Sequence, residues 1–267
     1  TESTASNYDA DRVRILKGYN DYIRSVSPDA VVILEHFCCD QEEKELGEAG
    51  MKVWRNLNYA YGQAAQGTKS KSSFNNLWTG STGMKFGGYV GFMESHDEER
   101  NAFRQKTYGE AGVKGDLAVM MQRQELNAAF FLTVPGPKMI WQFGEIGYDY
   151  SIEYNGRTGE KPVVTEAYLA EPARKALYDT YAGLLKFRSE NPRFFDSDAK
   201  FEWTPKASVK TITCSADGKT FHVVGNFNTS SKTCTLPSGT WKDWFTGETL
   251  TGEVNLKGGE FKLMTDF

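Results

Sequence analysis

Four short apolar runs, each followed by a polar cluster, divide the first two-thirds of the chain. They lie at residues 30–34, 51–54, 89–93 and 138–143. Runs of this length that are rich in β-branched and aromatic residues are typical of strands buried on both faces of a parallel sheet. We therefore predict four parallel strands, and we expect the first of them to be fully buried.

Apolar residues at helical spacing separate these runs. The predicted helices lie at 7–26, 41–49, 115–133 and 172–189, and a long loop with a short helical anchor is predicted at 67–88. Ser6 or Asn7 is expected to cap the first helix, because both residue types are favoured N-caps, and Pro28 is expected to end it. Strands that alternate with helices in this way indicate an α/β fold.

The pattern changes at about residue 195. Short runs of alternating polarity follow, at 211–214, 221–224 and 232–236, with turn signals such as Asp217-Gly218 between them. They predict a small antiparallel β-sandwich domain at 195–267, after a first domain at 1–194. Cys214 and Cys234 fall in two of its strands. A disulfide between them is an open question, and the four cysteines have neither metal-binding nor redox spacing.

The composition narrows the class of partner. The formal net charge of −4 provides no electrostatic footprint for nucleic acid or for an anionic membrane. No apolar run approaches the roughly 18 residues that a membrane span needs. Aromatic residues reach 13%, which suits stacking on sugar rings, although most aromatic side chains must pack in the core. The polar amino terminus has no signal-peptide shape, so the localisation stays open.

The third apolar run ends in the densest polar cluster of the chain, at residues 94–100. Reactive side chains in α/β folds lie at the carboxyl ends of parallel strands, which is where we expect His96 and Asp97. The alternative is that Asp97 only caps the helix that follows, because Asp is a favoured N-cap.

Three segments together resemble the α-amylase family, the family-13 glycoside hydrolases. They are Val31-Val32-Ile33-Leu34-Glu35, Phe92-Met93-Glu94-Ser95-His96-Asp97, and the stretch from Pro135-Gly136-Pro137 to Gly144-Glu145. Their order and context match the family over essentially the whole chain. The resemblance implies the second half of a TIM (β/α)8 barrel, its fifth to eighth strands, followed by the C-terminal β domain.

The resemblance also implies the chemistry. Retaining glycoside hydrolases use a carboxylate nucleophile and a carboxylic acid about 5–5.5 Å apart across the scissile bond. By resemblance, Glu35 is the general acid/base, which works best with a raised pKa. Asp97 is the third family carboxylate, which favours the distorted transition state, and His96 is its hydroxyl-binding neighbour. The implied function is that of a fragment of a retaining hydrolase of starch and maltooligosaccharides.

Other residues carry weaker expectations. Tyr148 and Asp149 are candidates to line the substrate cleft, and Arg100 is a candidate to orient Asp97. For His36, we consider a substrate-binding role and a structural role equally. We expect Glu145 to anchor a loop. Glu94, Glu98, Glu99 and Arg100 are expected at rim or helix-start positions, and Trp54, Trp78 and Trp141 are expected to pack in the barrel.

The resemblance implies a nucleophilic aspartate upstream of this chain. No apolar strand precedes Asn7, and Asp9 and Asp11 fall in the first turn of a predicted helix. We therefore expect the chain alone to be inactive. The family calcium loop is absent too, so we expect no metal or other cofactor here. The expected partners are an α-glucan substrate and either the missing N-terminal half of the barrel or a second copy of the chain.

Two alternatives remain beside an α-glucan hydrolase. One is a non-catalytic glycan-binding or structural relative of the same family, and the other is a transglycosylase of that family. Non-catalytic members commonly lose their catalytic carboxylates, whereas Glu35 and Asp97 are both present here, which favours an enzyme.

Overall fold

The computed structural model of the protein describes residues 7–267, apart from the side chain of Lys69, and they form two compact units. The first contains the chain up to Asn56, together with Asn76–Phe92 and Gly136–Met139. The second contains Leu57–Asn75, Met93–Pro135 and Ile140–Phe267. The predicted domain boundary between residues 194 and 195 stays a prediction.

The first unit is built on a four-stranded parallel sheet. Its strands are β1 (Ile33–Leu34), β2 (Lys52–Asn56), β3 (Tyr89–Phe92) and β4 (Lys138–Met139), paired in chain order. All three pairings are parallel, as the apolar runs predicted. Strand β3 is buried at every position, which explains why its run is continuously apolar.

The predicted burial of the first strand is wrong. Val31 is 64% exposed and Ile33 is 37% exposed. Strand β1 forms an edge of the sheet and, within the described residues, pairs only with β2. The apolar run at 30–34 therefore correctly predicted a strand. The second neighbouring strand that would bury it is not present in the described part of the chain.

Two longer helices and one short helix accompany this sheet: α1 (Ala10–Val26), α2 (Asp40–Glu48) and α4 (Thr79–Thr82). Helix α3 (Asn58–Gln66) precedes α4 in the chain and belongs to the second unit. Asp9 caps α1, accepting hydrogen bonds from the backbone N–H groups of Asp11 and Arg12. The predicted cap at Asn7 is therefore wrong, and Ser6 lies outside the described residues. Val13, Leu46 and Met51 form the apolar core beneath these helices.

The second unit contains five helices in its described part. They are α3 (Asn58–Gln66), α5 (Asn101–Tyr108), α6 (Leu117–Leu132), α7 (Thr165–Leu169) and α8 (Pro172–Glu190). The predictions for α6 and α8 are confirmed to within two residues at each end. Asp116 caps α6, accepting from two backbone N–H groups. Helix α3 was not predicted. Short 3-10 turns occur at Lys69–Lys71, Asn75–Leu77, Gly144–Ile146 and Pro192–Phe195.

The C-terminal part of the second unit is antiparallel β structure, as predicted. Its strands are β5 (Lys200–Trp203), β6 (Val209–Ala216), β7 (Lys219–Asn226), β8 (Lys232–Thr235), β9 (Trp241–Asp243), β10 (Thr249–Leu250), β11 (Glu253–Leu256) and β12 (Phe261–Thr265). Six of them form one sheet in the order β10-β9-β12-β7-β6-β5, and β8 pairs with β11. Cys214 and Cys234 are free thiols here, so the structure contains no disulfide between them.

Arg123 joins the helices of this unit to its β structure. Its guanidinium is buried and donates to the carbonyl oxygens of Ala64 and Ala65 at the end of α3. It also donates to the carbonyl oxygens of Phe227 and Asn228, just after β7. One cation thus satisfies four backbone acceptors, two of them at a helix C-terminus, where a positive charge is favourable. None of the helices described has the length and apolar character that a membrane crossing requires.

Candidate active site

The segment between β3 and α5 is fixed by a buried ion pair. The Glu94 carboxylate accepts from the backbone N–H of Asn101 at 2.6 Å and from the Arg100 guanidinium at 3.2 Å. Both side chains are almost fully buried. Burial raises the pKa of Glu94, and the charge of Arg100 opposes that rise. Glu94 is therefore not the rim charge that we predicted, but the group that positions the start of α5.

Asp97 does not cap a helix. Helix α5 begins at Asn101, and its N-cap residue is Arg100. The Asp97 side chain is 52% exposed, and its Oδ2 lies 3.3 Å from Nε2 of His96. The simpler interpretation of Asp97 as a helix cap is therefore wrong, and its half-exposed carboxylate is accessible to a ligand.

Arg157, not Arg100, is the arginine beside Asp97. Its Nη2 donates to the Asp97 carbonyl oxygen at 2.7 Å and lies 3.5 Å from Oδ1 of the carboxylate. The predicted role of Arg100 in orienting Asp97 is wrong, because that guanidinium is bound to Glu94. Sequence spacing gave no sign of Arg157, since 60 residues separate it from Asp97.

A cavity of about 130 Å³ adjoins these residues. Its lining includes His96, Arg100, Trp141, Tyr148 and Arg157. The ring centroids of His96 and Trp141 are 5.9 Å apart, and the Arg100 guanidinium lies 5.0 Å from the centroid of the Tyr148 ring. Trp141 was predicted to be barrel packing, whereas it lines this cavity. Aromatic faces beside hydrogen-bond donors suit a sugar ring, which has apolar faces and hydroxyl edges.

The far wall of the cavity is a loop held in place by Glu99. The Glu99 carboxylate accepts from the Ser151 hydroxyl at 2.7 Å and from the backbone N–H of Ile152 at 3.0 Å. Farther along the loop, Lys161 donates to the carbonyl oxygens of Gly156 and Gly159. These contacts fix residues 151–161, so the wall is preformed, as a binding site requires.

Tyr148 lines the cavity, but the neighbouring Asp149 does not. Asp149 lies 3.1 Å from Lys106 and 3.4 Å from Arg174, and it accepts from the hydroxyl of Tyr168. Burial would raise the pKa of Asp149, yet the bonds from Tyr168 and Lys106 outweigh it and lower the pKa. The prediction that Asp149 lines the cleft is wrong: its carboxylate is engaged in an internal ionic network.

His36 is also engaged. Its Nε2 lies 2.8 Å from Oε2 of Glu42, which Arg12 contacts as well. The hydrogen bonds from Arg12 and His36 lower the pKa of Glu42 to about 2, although burial opposes them. Of the two roles left open for His36, the structure therefore favours the structural one.

The same residues include a group that could hold a metal ion. His36, Cys38 and Glu42 place one ligand atom each within 4.8 Å of one another. Arg12, however, donates to both Cys38 Sγ and Glu42. Its guanidinium already supplies the positive charge that a metal ion would bring to this donor set. We therefore assign the cluster to stabilisation of the contact between α1 and α2.

Glu35 immediately follows β1 and is exposed. No hydrogen bond to its side chain is present within residues 7–267. Asp97 lies on the segment that follows β3, and β1 and β3 are parallel strands of one sheet. Both carboxylates therefore come after the carboxyl ends of parallel strands, as the sequence predicted. Their catalytic roles stay predictions.

No family model and no curated protein matches this sequence. Solved structures do match. An α-amylase from Anoxybacillus is 16% identical with a TM-score of 0.68, and the alignment covers 95% of this chain and 56% of that one. A pullulanase from Anoxybacillus sp. LM18-11 is 15% identical with a TM-score of 0.71, covering 94% of this chain and 41% of that one.

A third match is the α-amylase GTA from Geobacillus thermoleovorans. It is 12% identical with a TM-score of 0.66, and the alignment covers 95% of this chain and 57% of that one. This chain therefore spans about half the length of the structures that it resembles. At these identities the similarity concerns the fold alone. The expected resemblance is confirmed at that level: nearly the whole chain has the fold found in part of the α-amylases and pullulanases.

Proposed function

We propose that this chain is the C-terminal portion of a retaining glycoside hydrolase that acts on α-glucans. The observation that carries the proposal is the cavity lined by His96, Trp141 and Arg157. His96 and Arg157 both contact the half-exposed carboxylate of Asp97 next to it. The fold similarity supports the substrate class. The structure of the Geobacillus enzyme is a complex with acarbose, and a second structure of the Anoxybacillus pullulanase is a complex with maltotetraose.

In this proposal Asp97 binds sugar hydroxyls and stabilises the positive charge that develops at the anomeric carbon. The other groups hold it in place: Arg157 contacts its backbone and carboxylate, and Ser95 Oγ accepts from its backbone N–H at 3.0 Å. His96 donates to a sugar hydroxyl, and Trp141 supplies an apolar face for the ring.

Glu35 is the proposed general acid/base. It protonates the leaving glycosidic oxygen and later activates the water that releases the product. Its side chain is exposed and has no hydrogen-bond partner in the described part of the chain, so a substrate can reach it. The nucleophile comes from the part of the protein outside this chain, so this chain supplies only part of the catalytic machinery.

We further propose that the chain associates with the missing half of the barrel or with a second copy of itself. Ile33 on β1 and Val31 just before it support this, because both are exposed and one edge of β1 has no partner strand in the described part of the chain. An uncovered apolar edge strand readily pairs with another strand. Sedimentation together with intact mass and an amylase assay separates the two cases. A self-paired chain hydrolyses no starch, whereas a chain that retains its missing half does. A stable, inactive monomer of 30 kDa would contradict both.

The test of the sugar site is calorimetric titration of this chain with maltotetraose. We expect weak binding that Asp97→Asn or Trp141→Ala reduces at least tenfold, because each variant removes one of the two proposed contacts. Glu35→Gln should retain most of the binding, since the amide keeps the shape of the acid.

The matched control is Asp179→Asn on α8, an exposed carboxylate whose ion-pair partner is Lys175 on the same helix. It should leave the affinity unchanged. Absence of binding, or equal binding by the Asp97 and Asp179 variants, would refute the assignment of the cavity.

A further inference from the structure

A second cavity, of about 340 Å³, lies in the same unit and shares only Gln142 with the first. Its lining includes Ile140, Gln142 and Glu145 from the segment after β4, and Tyr178, Tyr181 and Leu185 from α8. A volume of this size accommodates a side chain of another polypeptide or a small ligand. The proposed hydrolase chemistry makes no use of it.

Helix α8 presents an apolar stripe to this cavity. Tyr178, Tyr181 and Leu185 recur at i, i+3 and i+7, the spacing of one helix face. Tyr178 is 41% exposed and Leu185 is 43% exposed. A different set of residues, Leu177, Leu184 and Phe187, is buried in the core. Tyr181 is only 4% exposed and is covered by its own unit, so the apolar surface that α8 leaves uncovered at this cavity consists of Tyr178 and Leu185.

Glu145 gives the cavity its charge. Its Oε2 is buried and has no hydrogen-bond partner within residues 7–267. A buried carboxylate oxygen without a donor is costly, so such an oxygen indicates a missing partner. The loop-anchoring role predicted for Glu145 does not satisfy this atom.

The surroundings of Glu145 are short of positive charge. Glu94 is close enough for the charge of Glu145 to raise its pKa, after the larger effect of burial. Tyr181 is affected by both carboxylates: burial raises its pKa most, and Glu94 and Glu145 raise it further. Arg100 balances Glu94 through their ion pair. Within the described residues, Oε2 of Glu145 has no donor, so one carboxylate of this group has no cation of its own in that part of the chain.

We propose that this cavity receives a lysine or arginine side chain from an apolar segment of the part of the fold that this chain does not contain. The apolar stripe of α8 fits the segment, and Glu145 fits its cation. The structures of the same fold are nearly twice as long as the aligned part of this chain, so the occupant comes from that remaining part. This interaction is separate from the sugar site; it rests on the proposed association with the missing half of the barrel and specifies one contact of that association.

The experiment uses butylguanidinium as a probe for an arginine side chain and butylurea as its neutral counterpart. Binding to the whole chain is followed by NMR chemical-shift titration. We expect butylguanidinium to bind at least tenfold more tightly than butylurea, because only the cation pairs with Glu145. Glu145→Gln should abolish that preference, whereas the control Glu190→Gln, at the exposed end of the same helix, should retain it. Circular dichroism verifies that each variant is folded.

Two results would overturn the proposal. Equal affinity for the two probes would show that the cavity does not select a cation, and a preference unchanged in Glu145→Gln would place the cation elsewhere. Sedimentation of the wild type and Glu145→Gln tests the occupant. A wild-type dimer that dissociates in the variant would identify a second copy of this chain as the occupant and refute our choice.

Discussion

The ion pair between Glu94 and Arg100 provides the sharpest test of how the candidate sugar site is held together. In the structure the two side chains are 10% and 6% exposed, and 3.2 Å separates Glu94 Oε2 from Arg100 Nη1. Arg100→Met keeps most of the side-chain length but removes the guanidinium. Glu94 then retains only the backbone N–H of Asn101 as a donor.

The expected cost follows from burial. Removing one partner of a buried ion pair leaves an uncompensated charge and destabilises a protein by about 3–5 kcal/mol. An exposed pair is worth far less, about 0.5 kcal/mol or below. Arg14 and Asp11 on α1 form such a pair, with side chains 72% and 83% exposed. Arg14→Met is therefore the matched control, and its free energy of unfolding should stay close to that of the wild type.

The stability lost in Arg100→Met should depend on pH. Burial already raises the pKa of Glu94 above its ordinary value of 4.5, and loss of Arg100 raises it further. The folded variant then binds a proton more readily than the unfolded chain does. The loss in free energy of unfolding relative to the wild type is therefore largest at neutral pH, and it shrinks as the pH falls toward the ordinary pKa of a glutamate.

The assay is urea denaturation followed by circular dichroism at pH 5 and pH 7.5. Adding Glu94→Gln to Arg100→Met should recover at least half of the loss at neutral pH, because the buried charge is gone. A loss below about 1 kcal/mol for Arg100→Met, or a deficit independent of pH, would refute a buried, uncompensated Glu94.

Three further predictions concern other charged groups. Arg123→Met should destabilise the chain by about 3 kcal/mol or more, because the buried carbonyls of Phe227 and Asn228 lose this donor and those of Ala64 and Ala65 each lose one of two donors. The stability of Arg123→Lys should lie between those of the wild type and Arg123→Met; equal denaturation midpoints for the three would contradict this. Burial lowers the pKa of Lys210 to about 8, so stability should rise as the pH increases from about 8 to 10.5, and Lys210→Met should flatten that rise in thermal melts. In the proposed parent enzyme, Glu35→Gln should remove most turnover of α-glucans but preserve sugar binding. Turnover comparable with the wild type would refute the proposed role of Glu35 as the acid.

Local patterns predicted the elements with a clear period or a strong boundary signal. Helix α6 has its apolar residues at helical spacing and Asp116 as a cap, and Pro172 opens α8. Helix α3 escaped prediction because seven of its nine residues are buried. A helix covered on nearly every side has no polar face, so its sequence shows no amphipathic period.

The sequence indicated candidate site residues where a polar cluster directly follows a strand. It did not indicate residues that reach the candidate site through contacts between distant parts of the chain. His96 and Asp97 could be placed from the polar cluster after β3. The engagement of Asp149 with Arg174, and that of Asp97 with Arg157, joins residues far apart in sequence. Spacing along the chain carries no information about such pairs, so Arg157 and Trp141 emerged only from the folded structure.

A crystal structure of this chain with bound maltotetraose tests the central claim most directly. The account predicts a glucose unit within hydrogen-bond distance of Asp97 and His96 and against the face of Trp141, with the Glu35 carboxylate at the same cleft. A sugar bound elsewhere, or Glu35 and Asp97 at opposite edges of the parallel sheet, would contradict it.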